Sequence, residues 1–370
     1  MLEAERVEHA QQMLAVCNAC RYCEQFCPVF PAIERRTAFA EVDLHYLANL
    51  CHNCGECLYA CQYAPPHQFG INVPRTLAEV RRRTYQEYCW PPALAASFER
   101  HSAATALVLA AACAALLWLG LLLADPGALW RPRGTADFYA VVPHAVLVTV
   151  FGLGAVFAVV ALGVSLRQYW RDLTAMGEGT VRLSTWGRAL ADAVSLRHLH
   201  GGGVDCTTDL DARTPWRRWA HHATSGGFAL CLASTTVAAA YHAVGWEAPH
   251  AYASVPVVLG AVGGLGLVCG PMALLLLRAR RDEALGDPSQ RGLDQSLLVL
   301  LLVTAATGLA LLVLRHTAAM GPLLVLHLGA VLAFFVTIPY SKFVHGFYRV
   351  LSLVWSAHES TASVAPPQTR

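Results

Sequence analysis

Hydrophobic and polar positions divide the chain into a polar front and a long region of alternating apolar stretches. Each apolar stretch is long enough to cross a bilayer as a helix, which takes about 20 residues. The stretches lie at approximately 102–124, 140–166, 224–245, 253–277, 293–315 and 322–344. This pattern predicts a six-helix transmembrane bundle over residues 96–355, followed by a disordered tail at 356–370.

The polar front, residues 1–95, has a pattern that predicts helices rather than strands. The stretch TAFAEVDLHYLANL (37–50) carries apolar residues at spacings of three to four, which is typical of an amphipathic helix. The prolines of QYAPPHQFGINVP (62–74) then predict an irregular passage, and a helix with several basic residues follows. The whole chain is therefore predicted to be mainly α.

Two cysteine runs lie in this front, CNACRYCEQFCP (17–28) and CHNCGECLYAC (51–61). The spacing C-x2-C-x2-C-x3-C is typical of [4Fe–4S] binding, in which the fourth cysteine of each run ligates the other run's cluster. The predicted ligands are Cys17, Cys20, Cys23 and Cys61 for cluster 1, and Cys51, Cys54, Cys57 and Cys27 for cluster 2. Zinc is the alternative, but zinc ribbons use paired C-x2-C units. Residues 1–95 are thus predicted to form an α-helical ferredoxin-like domain.

Charge supports a membrane protein and gives it an orientation. The chain is 55% hydrophobic and 14% charged, against about 25% charged in soluble domains. Arginines concentrate in the connections 167–223 and 278–292, which the positive-inside rule assigns to the cytoplasm. Six spans then put both termini on the cytoplasmic side of the inner membrane, where thiols stay reduced and bind metal rather than form disulfides. The net charge of +2 and the lack of a basic stripe argue against a nucleic-acid partner.

Histidines in or near the apolar stretches are candidate axial ligands for b-type haem, because such haem takes axial histidine and ionisable residues in spans are functional candidates. The candidates are His327, His242, His222, His345, His144 and His221. Depth in the predicted spans pairs His242 with His327 near the outer surface, with His144 as the rival ligand there.

The inner pairing joins His345 to either His221 or His222. His327 and His345 are 18 residues apart, so on one helix they would share a face about 27 Å apart along the axis. The alternative is that these histidines lie in the headgroup region and bind nothing. The sequence therefore allows one haem, two haems or none.

The longest connection between apolar stretches contains LRHLHGGGVDC (196–206) and WRRW (216–219). The first is either a flexible loop or a lid that docks on the cysteine domain or borders a quinone pocket; its HGGG lacks the G-x-S-x-G of a hydrolase. The second predicts an anchor at the membrane surface. The basic residues Arg75, Arg81, Arg82 and Arg83 predict either a docking face or a solvated helix.

With these motifs in view, the chain resembles the tricarballylate-utilisation protein B family, also called citrate-utilisation protein B, over nearly its whole length. The resemblance rests on CNACRYCEQFCP, CHNCGECLYACQYAPPHQFGINVPRTLAEVR, LRHLHGGGVDC, WRRWAHHATSGGFALCLASTTVAAAYHAVGWEAP and SVPVVLGAVGGLGLVCGP. CQYAPPH and the HH…YH…GWEAP run are its specific parts. The family's own glutamine after this cysteine explains why Gln62 follows Cys61 where proline is usual.

The resemblance implies a membrane electron-transfer protein with two [4Fe–4S] clusters and b haem. Such a protein reoxidises the FAD of a soluble tricarballylate dehydrogenase and passes the electrons to quinone. Two alternatives remain at this point. One is a redox anchor for a different flavin enzyme, of the fumarate-reductase or heterodisulfide-reductase kind. The other is an iron–sulfur sensor or a transporter; the near absence of Asp and Glu from the spans disfavours a transporter.

Overall fold

The computed structural model describes residues 2–125, 127, 129–130, 137–199, 206–209, 212–246 and 248–362. Its polar front contains the helices α1 (Leu2–Cys20), α2 (Val29–Glu34), α3 (Glu41–Leu50), α4 (Glu56–Tyr59) and α5 (Val73–Glu87). The helix expected in 37–50 is α3, and the basic helix after the proline-rich passage is α5.

Local capping explains where α3 and α5 begin. The Asp43 carboxylate accepts the backbone N–H of Ala40 at 2.9 Å, and so satisfies a donor at the start of α3. The Asn72 side chain accepts the backbone N–H of Arg75 at 3.1 Å, while Pro74 occupies the first turn of α5, where a missing N–H costs nothing.

The apolar region folds into long helices. In chain order these are α6 (Pro92–Ala124), α7 (His144–Ala175), α8 (Leu183–Val194), α9 (Trp216–Ala243), α10 (Val255–Ala279), α11 (Arg291–Leu314) and α12 (Met320–Thr337). A short antiparallel pair, β1 (Cys206–Asp209) and β2 (Ala212–Thr214), lies between α8 and α9. Within the described residues, six of the helices, all but α8, are long and apolar enough to cross a membrane. This confirms the predicted mainly α fold.

The membrane helices pack as a chain of neighbours. α9 packs on α10, α10 on α11, α11 on α12 and α12 on α7, while α6 lies against both α11 and α12. The contact between α9 and α10 is close because glycines face each other. A Cβ added to Gly227 would lie 2.8 Å from the carbonyl oxygen of Gly263. Small residues of this kind let membrane helices approach backbone to backbone.

One hydrophobic core joins the cysteine-bearing helices to the bundle. Tyr169 and Leu173 near the end of α7, and Tyr348 and Trp355 on α13 (His345–Ala362), are buried in the same core as α1–α5. α7 has 32 residues and is therefore about 48 Å long, which exceeds a hydrocarbon core of about 30 Å. Its C-terminal end packs in the core of the cysteine domain.

The predicted sixth span, 322–344, is wrong at its C-terminal end. α12 ends at Thr337, and two 3-10 turns, Ile338–Tyr340 and Lys342–Val344, separate it from α13. Pro339 has no backbone N–H to continue the helix, which explains the break. His327 and His345 consequently lie on different helices, so the predicted common helix face is wrong as well.

The predicted disordered tail is wrong for residues 356–362, which form the last turns of α13. Glu359 holds this segment in place. Its carboxylate accepts hydrogen bonds from Arg36 at 2.7 Å, from the Tyr46 hydroxyl at 3.1 Å and from Trp355 Nε1 at 3.0 Å. The remaining residues of the tail, 363–370, lie outside the described part of the chain.

Candidate metal centres

The first group of cysteines comprises Cys17, Cys20, Cys23 and Cys61, whose side chains line one cavity. Cys17 and Cys20 lie on the last turn of α1, and Cys61 follows α4. Arg21 adopts a left-handed φ of 56°, which turns the chain after α1 toward Cys23. Burial and the neighbouring thiols raise the pKa of Cys17 and of Cys23 to about 12.

The second group comprises Cys27, Cys51, Cys54 and Cys57, which line a second cavity. Asn53 and Gly55 have φ values of 54° and 94°, and these two left-handed residues wind the loop between α3 and α4 around the cavity. Burial, followed by the charges of the other thiols, raises the pKa of Cys27 and of Cys57 well above the usual range. Cys57 also lines the first cavity, so the two cavities adjoin.

The chemistry of these donors fits metal binding. The two groups have the same members as the two predicted ligand sets, and ligation itself stays a prediction. None of the cysteines whose side chains the structure describes forms a disulfide. Thiols such as Cys17 and Cys57, whose ionisation is opposed first by burial and then by neighbouring thiols, are suited to a positive metal centre, which stabilises the thiolate form.

Arginines from four parts of the chain bind the backbone of the loop 51–53 in the second group. Arg81 of α5 donates to the carbonyl oxygens of Ala48 and Cys51, each at 2.7 Å. Arg349 of α13 donates to the Cys51 carbonyl oxygen at 2.9 Å. The helix α5 was predicted to present its arginines either to a partner or to solvent; for the buried Arg81 both alternatives are wrong.

Two further arginines reach the same loop from the membrane helices. Arg217, in the first turn of α9, donates to the carbonyl oxygen of Asn53 at 2.6 Å. Arg281, just after α10, donates to the same oxygen at 2.7 Å and to the Asn53 side-chain oxygen at 2.9 Å. The exposed Trp216 and Trp219 suit the predicted surface anchor, whereas Arg217 points to the cysteine loop and is not part of it.

The segment after α8 covers the second group. Leu196 and Leu199 are buried against Cys54, and the His198 ring lies 5.7 Å from the His52 ring between centroids. This arrangement favours the lid alternative for the part of the connection that ends at residue 199. Residues 200–205 and 210–211, including the glycine run, lie outside the described residues.

The inner histidines meet beside the second group. The ring centroids of His221 and His345 are 5.8 Å apart. Two imidazole nitrogens on opposite sides of one metal ion, each about 2 Å from it, would bring the ring centroids about 6 Å apart. His345 Nδ1 lies 2.5 Å from the Lys342 carbonyl oxygen, which fixes its tautomer and frees Nε2. His221 Nδ1 is buried and has no hydrogen-bond partner among the residues that the structure describes. This pair fits a bis-histidine haem.

Each of the two inner histidines lies one helical turn from an arginine that binds the loop 51–53. Arg217 precedes His221 by four residues on α9, and Arg349 follows His345 by four on α13. Burial, with Arg349 and His221 near by, lowers the pKa of His345 well below its usual value, so its imidazole is neutral as a ligand must be. The alternative inner candidate, His222, is next to His221 in sequence, and His221 is the one that faces His345.

The outer histidines are arranged differently from the prediction. The rings of His144 and His242 are stacked with centroids 3.9 Å apart, and Tyr139 lies against both. His327 instead packs on α11, where its Nδ1 lies 3.0 Å from the Thr304 carbonyl oxygen. A separation of 3.9 Å leaves no room for a macrocycle between two rings. The predicted rival His144 is thus the neighbour of His242, and the stacked pair does not fit a second haem.

The paired cysteine groups and the six apolar helices define a membrane-integral iron–sulfur protein with a role in electron transfer. Residues 10–87 match the family model of the "Citrate utilization protein B Fer4-like domain", and residues 99–366 match that of "Citrate utilization protein B". Citrate utilization protein B of Escherichia coli is 46% identical over 346 residues, which cover 93% of this chain and 90% of that relative.

The chain therefore belongs to the citrate utilization protein B family, as the sequence motifs indicated. No solved structure matches it. The two family matches together cover both the cysteine domain and the membrane domain.

Sequence reasoning missed the arginines that bind the loop 51–53. Arg81 lies inside a run of three arginines, and Arg349 lies in the apolar context FYRVL, so neither has a local pattern that announces a buried contact. The break in the sixth span did have a signal, because Pro339 lies five residues before the predicted end at 344.

Proposed function

We propose that this protein reoxidises the reduced FAD of a soluble dehydrogenase and delivers the electrons to quinone in the cytoplasmic membrane. The route comprises two [4Fe–4S] clusters in the cysteine domain and one b haem at the inner end of the bundle. By resemblance, the flavoprotein partner is tricarballylate dehydrogenase. The substrate of that enzyme would not touch this chain.

The observation that carries the proposal is the continuity of donor groups from the cysteine domain into the membrane helices. The first cavity adjoins the second through Cys57. The loop of the second is hydrogen-bonded to Arg217 and Arg349, and one helical turn from each lies His221 or His345. Electron carriers bound at these places would be close neighbours in one rigid, shared core.

The chain's residues have separate tasks in this proposal. The first group would hold cluster 1, the second group cluster 2, and the pair His221 and His345 the haem iron. The clusters and the haem would carry electrons one at a time from a flavin that releases two electrons to a quinone that accepts two. The lid residues Leu196 and Leu199 exclude water from Cys54, and the Lys342 carbonyl orients the His345 ring.

The orientation is supported by contacts between the arginine-rich connections and the cysteine domain. Arg217 and Arg281 belong to the two connections that the positive-inside rule assigns to the cytoplasm, and both bind Asn53. The cysteine domain and these connections therefore lie at the same end of the bundle. We place that end in the cytoplasm, where a soluble dehydrogenase could reach the first group.

Metal analysis and difference spectroscopy test the cofactor content. Purified protein should contain about eight cluster irons with matching labile sulfide, the sum of two cubes, and one haem with a dithionite-reducible b-type α-band. Zinc without labile sulfide would exclude the clusters. Two haems per chain would contradict the single inner site.

Matched alanine variants test the haem ligands. His221→Ala should remove the b-type α-band and leave labile sulfide unchanged, while His222→Ala, one residue away, should keep the band. Loss of the band only in the His222 variant would refute the pairing of His221 with His345.

Reconstituted electron transfer tests the partner. Tricarballylate with its dehydrogenase should reduce the α-band, and a quinone analogue should reoxidise it. Reduction by a fumarate-reductase-like or heterodisulfide-reductase-like flavoprotein, but not by tricarballylate dehydrogenase, would keep the relay and replace its partner.

A further inference from the structure

Four cationic side chains contact the loop of the second group, whose cavity is also lined by the buried Glu56. Arg81, Arg217, Arg281 and Arg349 each donate to carbonyl oxygens of the loop that carries Cys51 and Cys54. The backbone N–H of Asn53 also donates to Cys51 Sγ at 3.3 Å. These contacts come from α5, α9, α13 and the connection after α10, so the loop is fixed from several directions.

Two of these arginines form an unusual buried pair. Arg81 is 4% exposed, and both it and Arg349 bond to the Cys51 carbonyl oxygen. In the described part of the chain their guanidinium groups bond to carbonyls and have no carboxylate partner. Burial, followed by the charge of Arg81, lowers the pKa of Arg349 to about 10, which leaves the Arg349 guanidinium protonated at neutral pH. Buried like charges are costly unless an anion lies beside them.

A [4Fe–4S] cluster with four thiolates is such an anion, because the ligand charges outweigh the charge of the core. Reduction adds a further negative charge to it. Neighbouring positive charges therefore stabilise the reduced form more than the oxidised form, and hydrogen bonds to the sulfurs act in the same direction.

The surroundings of the first group are different. Its cavity is walled by apolar and aromatic side chains together with Gln62. Tyr22 at its rim is 67% exposed, and Gln62 Nε2 lies 3.9 Å from Cys20 Sγ. This side of the domain faces solvent, whereas the second group faces the membrane helices.

We propose that the four arginines raise the reduction potential of the cluster held by the second group above that of the first, and so make it the exit of the cysteine domain. This inference rests on the proposed function. The cluster held by the first group would give one electron at a time to the cluster held by the second group. The dehydrogenase's FAD would supply the electrons, and the quinone would accept them by way of the haem. The arginines are positioning residues, since they contact the loop and not the substrate.

Arg281 offers the sharpest test because it has a matched neighbour. Arg281→Gln removes one positive charge beside Asn53. Arg280→Gln removes one positive charge from the preceding residue, which is exposed. The readout is a redox titration of the full-length protein in detergent, followed by electron paramagnetic resonance of both reduced clusters. A unit charge at roughly 10 Å in a partly buried site changes a reduction equilibrium by about tenfold, which is about 59 mV for one electron.

We expect Arg281→Gln to lower the higher of the two potentials by about this amount and to leave the lower one unchanged. Arg280→Gln should change neither reduction potential. Arg281→Lys, which retains the charge, should keep the higher potential close to its wild-type value. Equal shifts of both clusters, a shift of the lower potential only, or no shift would overturn the inference. Wild-type protein without two cluster signals would instead contradict the proposed function, so the two failures are distinguishable.

Discussion

Glu359 fixes the end of α13 to the cysteine domain, and its removal should loosen that docking. The carboxylate accepts hydrogen bonds from Arg36 on the cysteine domain, from the buried Tyr46 and from Trp355 on its own helix, and Arg35 forms a further ion pair with it at 3.7 Å. The side chain of Arg36 is 8% exposed and that of Glu359 is 17% exposed. This ion pair is therefore largely shielded from water, unlike most surface pairs.

The cost of Glu359→Ala follows from these contacts. Breaking a fully buried ion pair costs about 3–5 kcal/mol, and hydrogen bonds to a charged group contribute about 1.5–3 kcal/mol each. The partial exposure of Glu359 and the bond of Arg36 to Asp43 at 2.5 Å reduce this, so we expect about 3 kcal/mol. Glu359→Gln keeps one acceptor oxygen, which can serve either Tyr46 or Trp355 but not both, and should cost less than Glu359→Ala.

Hydrogen exchange of the α13 amides measures this local opening without requiring two-state unfolding of a membrane protein. A loss of about 3 kcal/mol corresponds to exchange about 100-fold faster. Glu283→Ala is the control, because its side chain is 77% exposed and its pairing with Arg291 should contribute less than about 1 kcal/mol. Equal exchange rates in the Glu359→Ala and Glu283→Ala proteins would refute the docking role of Glu359.

Three further substitutions have definite expected outcomes. Gly227→Ala should lower the melting temperature in detergent, because its Cβ collides with α10 at a cost of about 1–3 kcal/mol, whereas Gly226→Ala has open space and should raise it slightly. Tyr169→Phe removes a 2.7 Å hydrogen bond to a serine of α13 and should cost about 1 kcal/mol in chemical denaturation. Leu199→Ala should speed iron loss to a chelator by opening the lid, while Leu190→Ala, at an exposed site, should not.

Local sequence patterns predicted most of the ends of the membrane helices to within a few residues. Apolar length is sufficient to find six membrane helices. The cysteine spacing gives the two sets through the rule that the fourth cysteine of each run ligates the other run's cluster. The error at the end of the sixth span came from length overruling chemistry: Pro339 ends α12, although the apolar residues continue. The same break places His327 and His345 on different helices, so they do not share the predicted helix face.

The contacts around the second group depend on packing between distant parts of the chain. Arg281 and Asn53 are 228 positions apart, and Arg349 and Cys51 are 298 apart. No window of sequence holds both members of either pair. The stacking of His144 on His242 is of the same kind, because it depends on how α7 and α9 cross. Such contacts need the assembled bundle, whereas helices and motifs need only their own residues.

The glycines between α9 and α10 explain how two arginines on different helices bind one oxygen atom. Arg217 begins α9 and Arg281 follows α10, and both donate to the Asn53 carbonyl oxygen. Gly227 and Gly263 bring these helices so close that a Cβ at either position would collide with the opposite backbone. This close packing of α9 on α10 thus sets the spacing of the two guanidinium groups, and through α9 it also sets the position of His221 relative to the cysteine domain. A change at the glycine contact should therefore alter both the loop of the second group and the inner histidine pair.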